Sequence, residues 1–227
     1  MSVLCVAAHP DDEVLGAGAT LARHVDDGDD VHVCILSDGV TSRYDDLTES
    51  ARAEIRQRKK RAERACGELG VDSVSFHDFP DNKFDTVPLL DIVQTVEGEI
   101  ETVDQTRIYT HHHGDLNIDH ERTARAVATA TRPLPDTTIE EILLFPTLSS
   151  SEWSLPTADN AFQPTTFINV DGYEQQKIDA LSVYETELRE HPHPRSAGNV
   201  RRAIKLWGST AGVPASEPFE LLRSVRQ

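Results

Sequence analysis

Short, mostly apolar runs alternate with segments of helical spacing over the first two thirds of the chain. The continuous apolar run Val3–Ala8 predicts a strand covered on both faces, and further strands are predicted at Val31–Leu36, Val74–Phe76, Arg107–Thr110 and Ile139–Phe145. The segments between them predict helices at Glu13 to about Val25, Glu49–Leu69, Pro88–Val103 and Ile118–Thr131. This alternation predicts an α/β fold of Rossmann-like type, a mostly parallel sheet with helices on both faces.

The regular pattern weakens after Phe145. Residues 147–163 are rich in Ser, Pro, Thr and Asn, which predicts a loop or an active-site flap. A strand at Phe167–Val170 and a helix from Tyr173 to about Arg189 are predicted next. The prolines of His191–Pro194 break the chain before the segment Asn199–Trp207. Because no repeat or low-complexity linker interrupts the sequence, we predict a single domain over residues 1–227.

The charge of the chain narrows the classes of partner. A formal net charge of −17 argues against a general affinity for nucleic acid or for anionic membranes. Of the 22 basic residues, lysine accounts only for positions 59, 60, 83, 177 and 205. High Asp and Glu with scarce Lys suits a protein kept soluble in concentrated salt, where charge repulsion is screened. We therefore predict a halophilic protein; an ordinary acidic protein is the alternative.

Cysteine usage and hydropathy predict the cellular compartment of the protein. Cys5, Cys34 and Cys66 form no CxxC pair, and Cys5 and Cys34 lie in apolar strand-like runs, which is typical of buried thiols in a reducing compartment. The N-terminus has no basic region followed by a long apolar segment, as a signal peptide would have. No apolar run approaches the roughly 18 residues of a membrane helix. We expect a cytoplasmic protein without stable membrane insertion.

Two polar stretches follow predicted strands and carry the candidate chemistry. Ala7–Glu13, with the sequence AAHPDDE, comes after the first strand, and Asp115–His120, with the sequence DLNIDH, comes after the fourth. The carboxyl ends of parallel strands meet at one edge of a sheet, so both loops can open there. Helix capping explains one carboxylate but not a His, two Asp and a Glu together. Imidazole and carboxylate ligands with a spare carboxylate predict a metal-dependent hydrolase.

The other histidines carry less information. Consecutive strand residues point to opposite faces, so His111, His112 and His113 cannot all bind one ion easily. His120 is better placed, at the start of a helix with Asp119 before it, since carboxylates commonly orient metal-site histidines. The remaining histidines at positions 24, 32 and 77 lack this context and are predicted to be structural or exposed.

At these motifs the sequence resembles the LmbE-like, or PIG-L, family of zinc-dependent de-N-acetylases. The resemblance rests on Ala8–Glu13 and on Asp119-His120. It extends to the segments Ser37–Arg43, Pro80–Asp85, His193–Ser196 and Gly212–Phe219. It implies a Rossmann-like fold and removal of an acetyl group from an N-acetylglucosamine-type sugar or its conjugate, a small-molecule substrate. Family members often associate, so a homo-oligomer is compatible with it.

The resemblance also implies roles for individual residues. His9, Asp12 and His120 would hold one zinc ion per chain, and Asp11 would be the general base. Histidine and carboxylate ligands also suit iron or manganese.

The second motif departs from the family pattern. Many members have a histidine where this chain has Asn117, and a neutral amide can hold an oxyanion but cannot act as an acid. His113 or His193 could replace that histidine, and the spacing does not select between them. Asp119 is expected to orient a histidine or help to set its charge.

Three further residues are candidates for substrate binding. Arg43 and Arg58 could bind sugar hydroxyls or a phosphate, and the alternative for Arg58 is a solvated charge. Asp81 could accept a hydrogen bond from a sugar hydroxyl, or it could serve a turn before Asn82.

Two other functions remain open at this stage. Gly16-Ala17-Gly18 invites comparison with a non-catalytic nucleotide-binding module, but Leu21 stands where the third glycine of GxGxxG is required. Both glycines also fall inside the predicted helix. The second alternative is a metal hydrolase of another amide or of an ester, because the motifs indicate water activation better than they indicate the leaving group.

Overall fold

One seven-stranded sheet organises the computed structural model, which describes residues 1–44, 46–102, 107–134 and 138–226. In chain order its strands are β1 (Ser2–Ala7), β2 (Asp30–Ser37), β3 (Ser73–Phe79), β4 (Arg107–His111), β5 (Glu141–Phe145), β6 (Thr166–Asn169) and β7 (Ser216–Ser224). They lie in the order β3-β2-β1-β4-β5-β7-β6. The first five are parallel, while β7 pairs antiparallel with both β5 and β6. The predicted α/β fold with a mostly parallel sheet is confirmed.

Helices cover both faces of this sheet. They are α1 (Asp12–Asp26), α2 (Glu49–Leu69), α3 (Leu89–Thr102), α4 (Ile118–Ala130), α5 (Glu174–Ser182) and α6 (Ala197–Ala211). Short 3-10 turns occupy Thr41–Arg43, Phe84–Thr86 and Ser151–Trp153. One core cluster joins the sheet to α1, α2, α5 and α6, and the other joins it to α3 and α4. Alternate residues of β1 belong to the two clusters, which explains why the entire strand is apolar.

Glycine allows α1 to approach the sheet closely. A Cβ atom added at Gly16 would lie 2.1 Å from Cδ2 of the Phe145 ring on β5. The helix could not keep this position with a larger residue there. Packing thus accounts for a glycine that had suggested a nucleotide-binding loop.

Two elements differ from the sequence-based expectations. The strand β7 was not predicted, and α5 ends at Ser182 instead of about Arg189. Beyond α5 the Tyr184 hydroxyl donates a hydrogen bond to Glu13, and Glu187 accepts one from Arg58. These tertiary contacts override the helical spacing of the sequence. The predicted end of the third helix, Val103, lies outside the described residues.

No helix within the described ranges is both long and apolar enough to cross a membrane. The carboxyl ends of β1 and β4 lie side by side in the sheet, as do those of β1 and β2. The loops that carry the two polar motifs therefore open at the same edge.

Candidate metal centre

Three side chains from the two motifs converge at the carboxyl edge of the sheet. His9 follows β1, Asp12 begins α1, and His120 lies in the first turn of α4. Asp12 Oδ2 lies 3.2 Å from His9 Nδ1 and 3.1 Å from His120 Nε2. One ligand atom from each residue lies within 4.8 Å of the others, and all three residues are buried. The sequence-predicted ligands are therefore brought together, and we call them the His9 cluster.

The outer nitrogen of each histidine contacts a second carboxylate. His9 Nε2 lies 2.9 Å from Asp119 Oδ2, and His120 Nδ1 lies 3.0 Å from Asp115 Oδ1. Asp119 also accepts hydrogen bonds from the backbone N–H groups of Asn82, at 2.6 Å, and Phe84, at 3.0 Å. Such outer partners fix the tautomer and the orientation of a metal-binding imidazole. Each ring thus presents its inner nitrogen to Asp12.

The chemistry of the inner atoms fits a divalent cation. His120 Nε2 is buried and has no hydrogen-bond partner among the described residues. Burial opposes ionisation of Asp12, but the facing His120 outweighs it and holds the pKa of Asp12 well below its usual range. Two imidazole nitrogens and one carboxylate oxygen form a donor set found in catalytic metal sites with an open coordination position. The structure thus contains a possible His/Asp metal site.

Asp11 lies beside this cluster in an unusual backbone conformation. Its φ of 106° is in the left-handed region, which residues other than glycine rarely adopt and which tends to occur at functional sites. Its Oδ2 accepts a hydrogen bond from Arg195 Nη1 at 2.8 Å, and its Oδ1 lies 3.8 Å from Arg58 Nη2. Burial raises the pKa of Asp11 to about 6, although the two arginines oppose that shift. A carboxyl with this pKa can gain and lose a proton near neutral pH.

His111 is an uncharged residue that packs against the His9 cluster. Its Nε2 accepts a hydrogen bond from the backbone N–H of Ala8 at 2.9 Å, and its ring stacks on that of His120 with centroids 4.0 Å apart. Burial, together with the neighbouring His120, holds the pKa of His111 well below its ordinary value. With Nε2 used as an acceptor, His111 supports the cluster and does not bind an ion.

A polar pocket of about 540 Å³ opens above the cluster. Arg43, Arg58, Asp81 and Asn117, four of the sequence-predicted substrate residues, line it. The Arg58 guanidinium is already engaged, since Nη1 bonds Glu187 at 2.5 Å and Nη2 bonds the Pro10 carbonyl at 2.9 Å. The Arg43 side chain is half exposed and faces the same pocket. Arg58 therefore braces the Asp11 loop, while Arg43 is the freer of the two cations.

Asp81 and Asn117 make contacts inside the chain as well as lining the pocket. Asp81 Oδ1 lies 3.3 Å from His9 Nε2, and Asp81 Oδ2 accepts hydrogen bonds from the backbone and hydroxyl of Ser42. Burial opposes ionisation of Asp81, but His9 and Ser42 lower its pKa to about 2. Asn117 caps α4 by accepting from the Asp119 N–H at 2.9 Å, and its Nδ2 donates to Asn82.

The structure does not bring His113 or His193 into this pocket. The His113 side chain is 59% exposed, and its Nδ1 lies 4.0 Å from Glu220. His193 packs edge-on against Trp153 and accepts a hydrogen bond from the Arg195 N–H at 3.1 Å. Neither residue is among those that line the pocket, and the suggestion that His113 or His193 replaces the family histidine stays a prediction.

Several residues of the site were not identified from the sequence. Asp115 opens the second motif, and its five-residue spacing from His120 lets it contact the outer nitrogen. Arg195 lies in a segment noted only for its family resemblance. Trp153 lines the pocket from the irregular segment after β5, where no periodic pattern gives a signal. Only the tertiary structure identifies these contributors.

Comparison with known proteins identifies the family. A family profile described as "PIG-L: GlcNAc-PI de-N-acetylase" matches residues 4–131, more than half of the chain. The chain belongs to the PIG-L family. The matched region contains the whole His9 cluster together with Asp11, Asp115 and Asp119.

The chain is also similar to individual proteins. The chain is 27% identical over 190 residues to a protein of Escherichia coli K12 described as the uncharacterized deacetylase YaiS, covering 81% of this chain and 90% of that one. It is 34% identical over 101 residues to the diacetylchitobiose deacetylase of Thermococcus kodakarensis, covering 44% of this chain but only 35% of that protein.

Solved structures share the fold. The N,N'-diacetylchitobiose deacetylase of Pyrococcus horikoshii superposes with a TM-score of 0.77 at 18% identity, over 97% of this chain and 83% of that chain. At this level of identity the likeness establishes the architecture alone.

Proposed function

We propose that this protein is a zinc-dependent N-deacetylase that hydrolyses the acetamide of an N-acetylglucosamine-type sugar or its conjugate. The single observation that carries the proposal is the buried His9 cluster with the ionisable Asp11 beside it, at the base of a polar pocket. Family membership and the deacetylase names of relatives support the choice of reaction. The polar lining of the pocket, which includes Arg43, Asp81 and Asn117, supports the class of substrate.

In this proposal His9 Nδ1, Asp12 Oδ2 and His120 Nε2 hold the ion. A bound zinc ion would supply Lewis acidity, activating water and polarising the acetyl carbonyl. Asp119 and Asp115 accept hydrogen bonds from the proton-bearing outer nitrogens of the two imidazoles, so that the unprotonated inner nitrogens face the ion site. Histidine and carboxylate would also accept iron or manganese, so the proposal of zinc is tested by metal analysis.

Asp11 is the proposed proton carrier. Its carboxylate accepts a proton from the attacking water, and its raised pKa lets it hold that proton near neutral pH. Arg195 fixes Oδ2 by a hydrogen bond, which leaves Oδ1 as the atom that takes the proton. With His113 and His193 outside the pocket, Asp11 is also the group placed to return the proton to the departing amine.

The remaining pocket residues are assigned to the substrate. Asn117 replaces the family histidine, and its amide N–H can stabilise the developing oxyanion without transferring a proton. Arg43 and Asp81 are proposed to bind sugar hydroxyls by donating and accepting hydrogen bonds, respectively. Arg58 and Asp119 are proposed as positioning residues for Asp11 and His9.

Other sequence-based expectations remain proposals. They are the single domain over residues 1–227, a cytoplasmic location, adaptation to high salt, the absence of nucleic-acid binding and the association of copies. None of them alters the chemistry of the pocket. Because adaptation to high salt is among these proposals, activity is first measured in a buffer with concentrated salt.

Acetate release tests the function directly. The purified protein is loaded with zinc and screened against N-acetylglucosamine, diacetylchitobiose and N-acetylglucosamine conjugates, with Asp11→Asn and the exposed-site control Asp91→Asn alongside. We expect Asp11→Asn to retain zinc and to lose about 10²–10⁴-fold in rate, the usual contribution of a general base, while Asp91→Asn keeps wild-type activity. Zinc binding without acetate release from any of these compounds would instead favour hydrolysis of another amide or of an ester.

A further inference from the structure

A second group of metal-binding side chains lies apart from the His9 cluster. Cys34 on β2, His77 on β3 and Glu99 on α3 each present one ligand atom, and these atoms lie within 4.8 Å of one another. His77 Nε2 lies 2.7 Å from Glu99 Oε1, and Ser75 donates a hydrogen bond to Glu99 Oε2 at 2.8 Å. We call these three residues the Cys34 cluster. It shares no residue with the pocket described above.

The sheet and its covering helix build this cluster. Cys34 and Ser75 are register partners across β2 and β3, and His77 is two residues further along β3. Residues two apart on a strand face the same side, so Ser75 and His77 both point toward α3, where Glu99 lies. The strand β3 forms one edge of the sheet. The cluster thus lies between the edge of the sheet and a helix.

Burial is graded across the three residues in a way that suits entry of an ion. Cys34 is fully buried, the Glu99 side chain is 18% exposed, and the His77 side chain is 31% exposed. An ion can therefore reach the imidazole and carboxylate from solvent, while the sulfur forms the inner end of the site. No local sequence pattern predicts this cluster, because Glu99 is 22 residues from His77.

The hydrogen bond between His77 and Glu99 explains only part of the arrangement. It satisfies the nitrogen and the oxygen, but it does not require a thiol at the same point. The two other cysteines, Cys5 and Cys66, are buried as well, and neither belongs to such a group within the described ranges. A thiol, an imidazole and a carboxylate together form a donor set that zinc and similar cations prefer.

We propose that Cys34, His77 and Glu99 bind a second, thiophilic divalent cation such as zinc. On binding, the Cys34 thiol proton leaves to solvent and the thiolate sulfur becomes a ligand. His77 carries its proton on Nδ1 and gives the lone pair of Nε2, and Glu99 gives a carboxylate oxygen. One thiolate and one carboxylate balance the two positive charges of the ion, which reduces the cost of burying it. A water molecule or the Ser75 hydroxyl completes the tetrahedron.

Cobalt(II) substitution distinguishes this site from the first. The His9 cluster contains no sulfur, so only a thiolate ligand can produce the near-ultraviolet sulfur-to-cobalt charge-transfer band. We expect the full-length protein, titrated with cobalt, to develop this band and to bind two equivalents of the ion. Asp12→Ala should lose one equivalent and keep the band. This result would hold whether or not the protein proves to be a deacetylase.

Matched cysteine variants decide the assignment. Cys34→Ser should abolish the band, whereas Cys66→Ser, which removes a buried thiol without such neighbours, should keep it. His77→Ala changes a partly exposed side chain and should also remove the band, which keeps the test valid should Cys34→Ser fail to fold. The proposal is overturned by the absence of a band in the wild-type protein, by a band that persists without Cys34, or by its loss in Cys66→Ser.

Discussion

Two clusters, each with at least one histidine that follows β4, have the same composition and a different environment. The His9 cluster and the group formed by His112, His113 and Glu220 each combine two imidazoles with one carboxylate within reach of a single ion. Every side chain of the His9 cluster is at most 8% exposed. In the second group the His113 side chain is 59% exposed. Composition alone therefore does not distinguish a metal site from a surface cluster.

The partners of the outer nitrogens explain the difference. In the His9 cluster each outer nitrogen faces a further carboxylate, from Asp119 or Asp115. In the other group His112 Nε2 faces the carbonyl of Asn160 at 3.0 Å, while its Nδ1 lies 2.6 Å from Glu220. Burial opposes protonation of His112, but Glu220 and Asn160 outweigh it and raise its pKa. The outer nitrogen of His112 thus faces a neutral carbonyl, whereas each imidazole of the His9 cluster has a second carboxylate behind it.

Removal of the shared carboxylate should have the largest effect. Asp12→Ala removes the ligand that both inner nitrogens face. We expect loss of one bound zinc ion and a fall in acetate release of at least about 10³-fold, since the metal supplies the activated nucleophile. Metal content and single-turnover rates measure both effects. The comparison between the clusters fails if Glu220→Ala, the equivalent change in the other group, reduces activity as much.

Changes in the outer carboxylates should have intermediate effects. Asp115→Asn and Asp119→Asn keep the size of the side chain but remove the charge behind His120 or His9. Loss of such a partner typically lowers metal affinity about 10–100-fold. Competition with a zinc chelator measures the dissociation constant. Equal affinity in the wild type and both variants would mean that these carboxylates serve only the fold.

Protonation of the metal-free centre leads to a pH prediction. Burial opposes protonation of His120, but Asp12 and Asp115 outweigh it and raise its pKa to about 9. His120 is therefore protonated at neutral pH until an ion displaces that proton. Zinc affinity should rise with pH below this pKa, by roughly tenfold per unit for each proton released. Calorimetry in buffers of different ionisation enthalpy counts the protons, and zero released protons would contradict the scheme.

The sequence predicted the members of the His9 cluster better than the residues that support it. His9, Asp12 and His120 lie next to the ends of apolar strands, and the geometry of parallel sheets places such ends together. Arg195 reaches Asp11 from a position 184 residues away. No local pattern carries such a contact, because it depends on how α5, α6 and the intervening turn pack against the sheet.

The failure to predict strand β7 from the sequence has a similar cause. Glu217 interrupts its apolar pattern, yet this side chain is buried and pairs with the buried Lys177 at 2.5 Å. Its carboxylate also accepts hydrogen bonds from the backbone N–H groups of Ala19 and Thr20. A sequence pattern assigns a charged residue to the surface, whereas a fully paired charge can lie in the core. Long-range pairing was therefore the information that the pattern lacked.

The smallest effect is expected at His113, a member of the group with His112 and Glu220, and it tests whether that group is indeed unnecessary for activity. His113→Gln keeps a polar side chain at an exposed position outside the pocket. Because its ring contacts neither the His9 cluster nor Asp11, we expect kcat, KM and zinc content within about twofold of wild type, as for most surface substitutions. A loss above tenfold in kcat with unchanged zinc content would mean that His113 reaches the substrate. In that case a catalytic histidine, and not Asp11 alone, would protonate the departing amine.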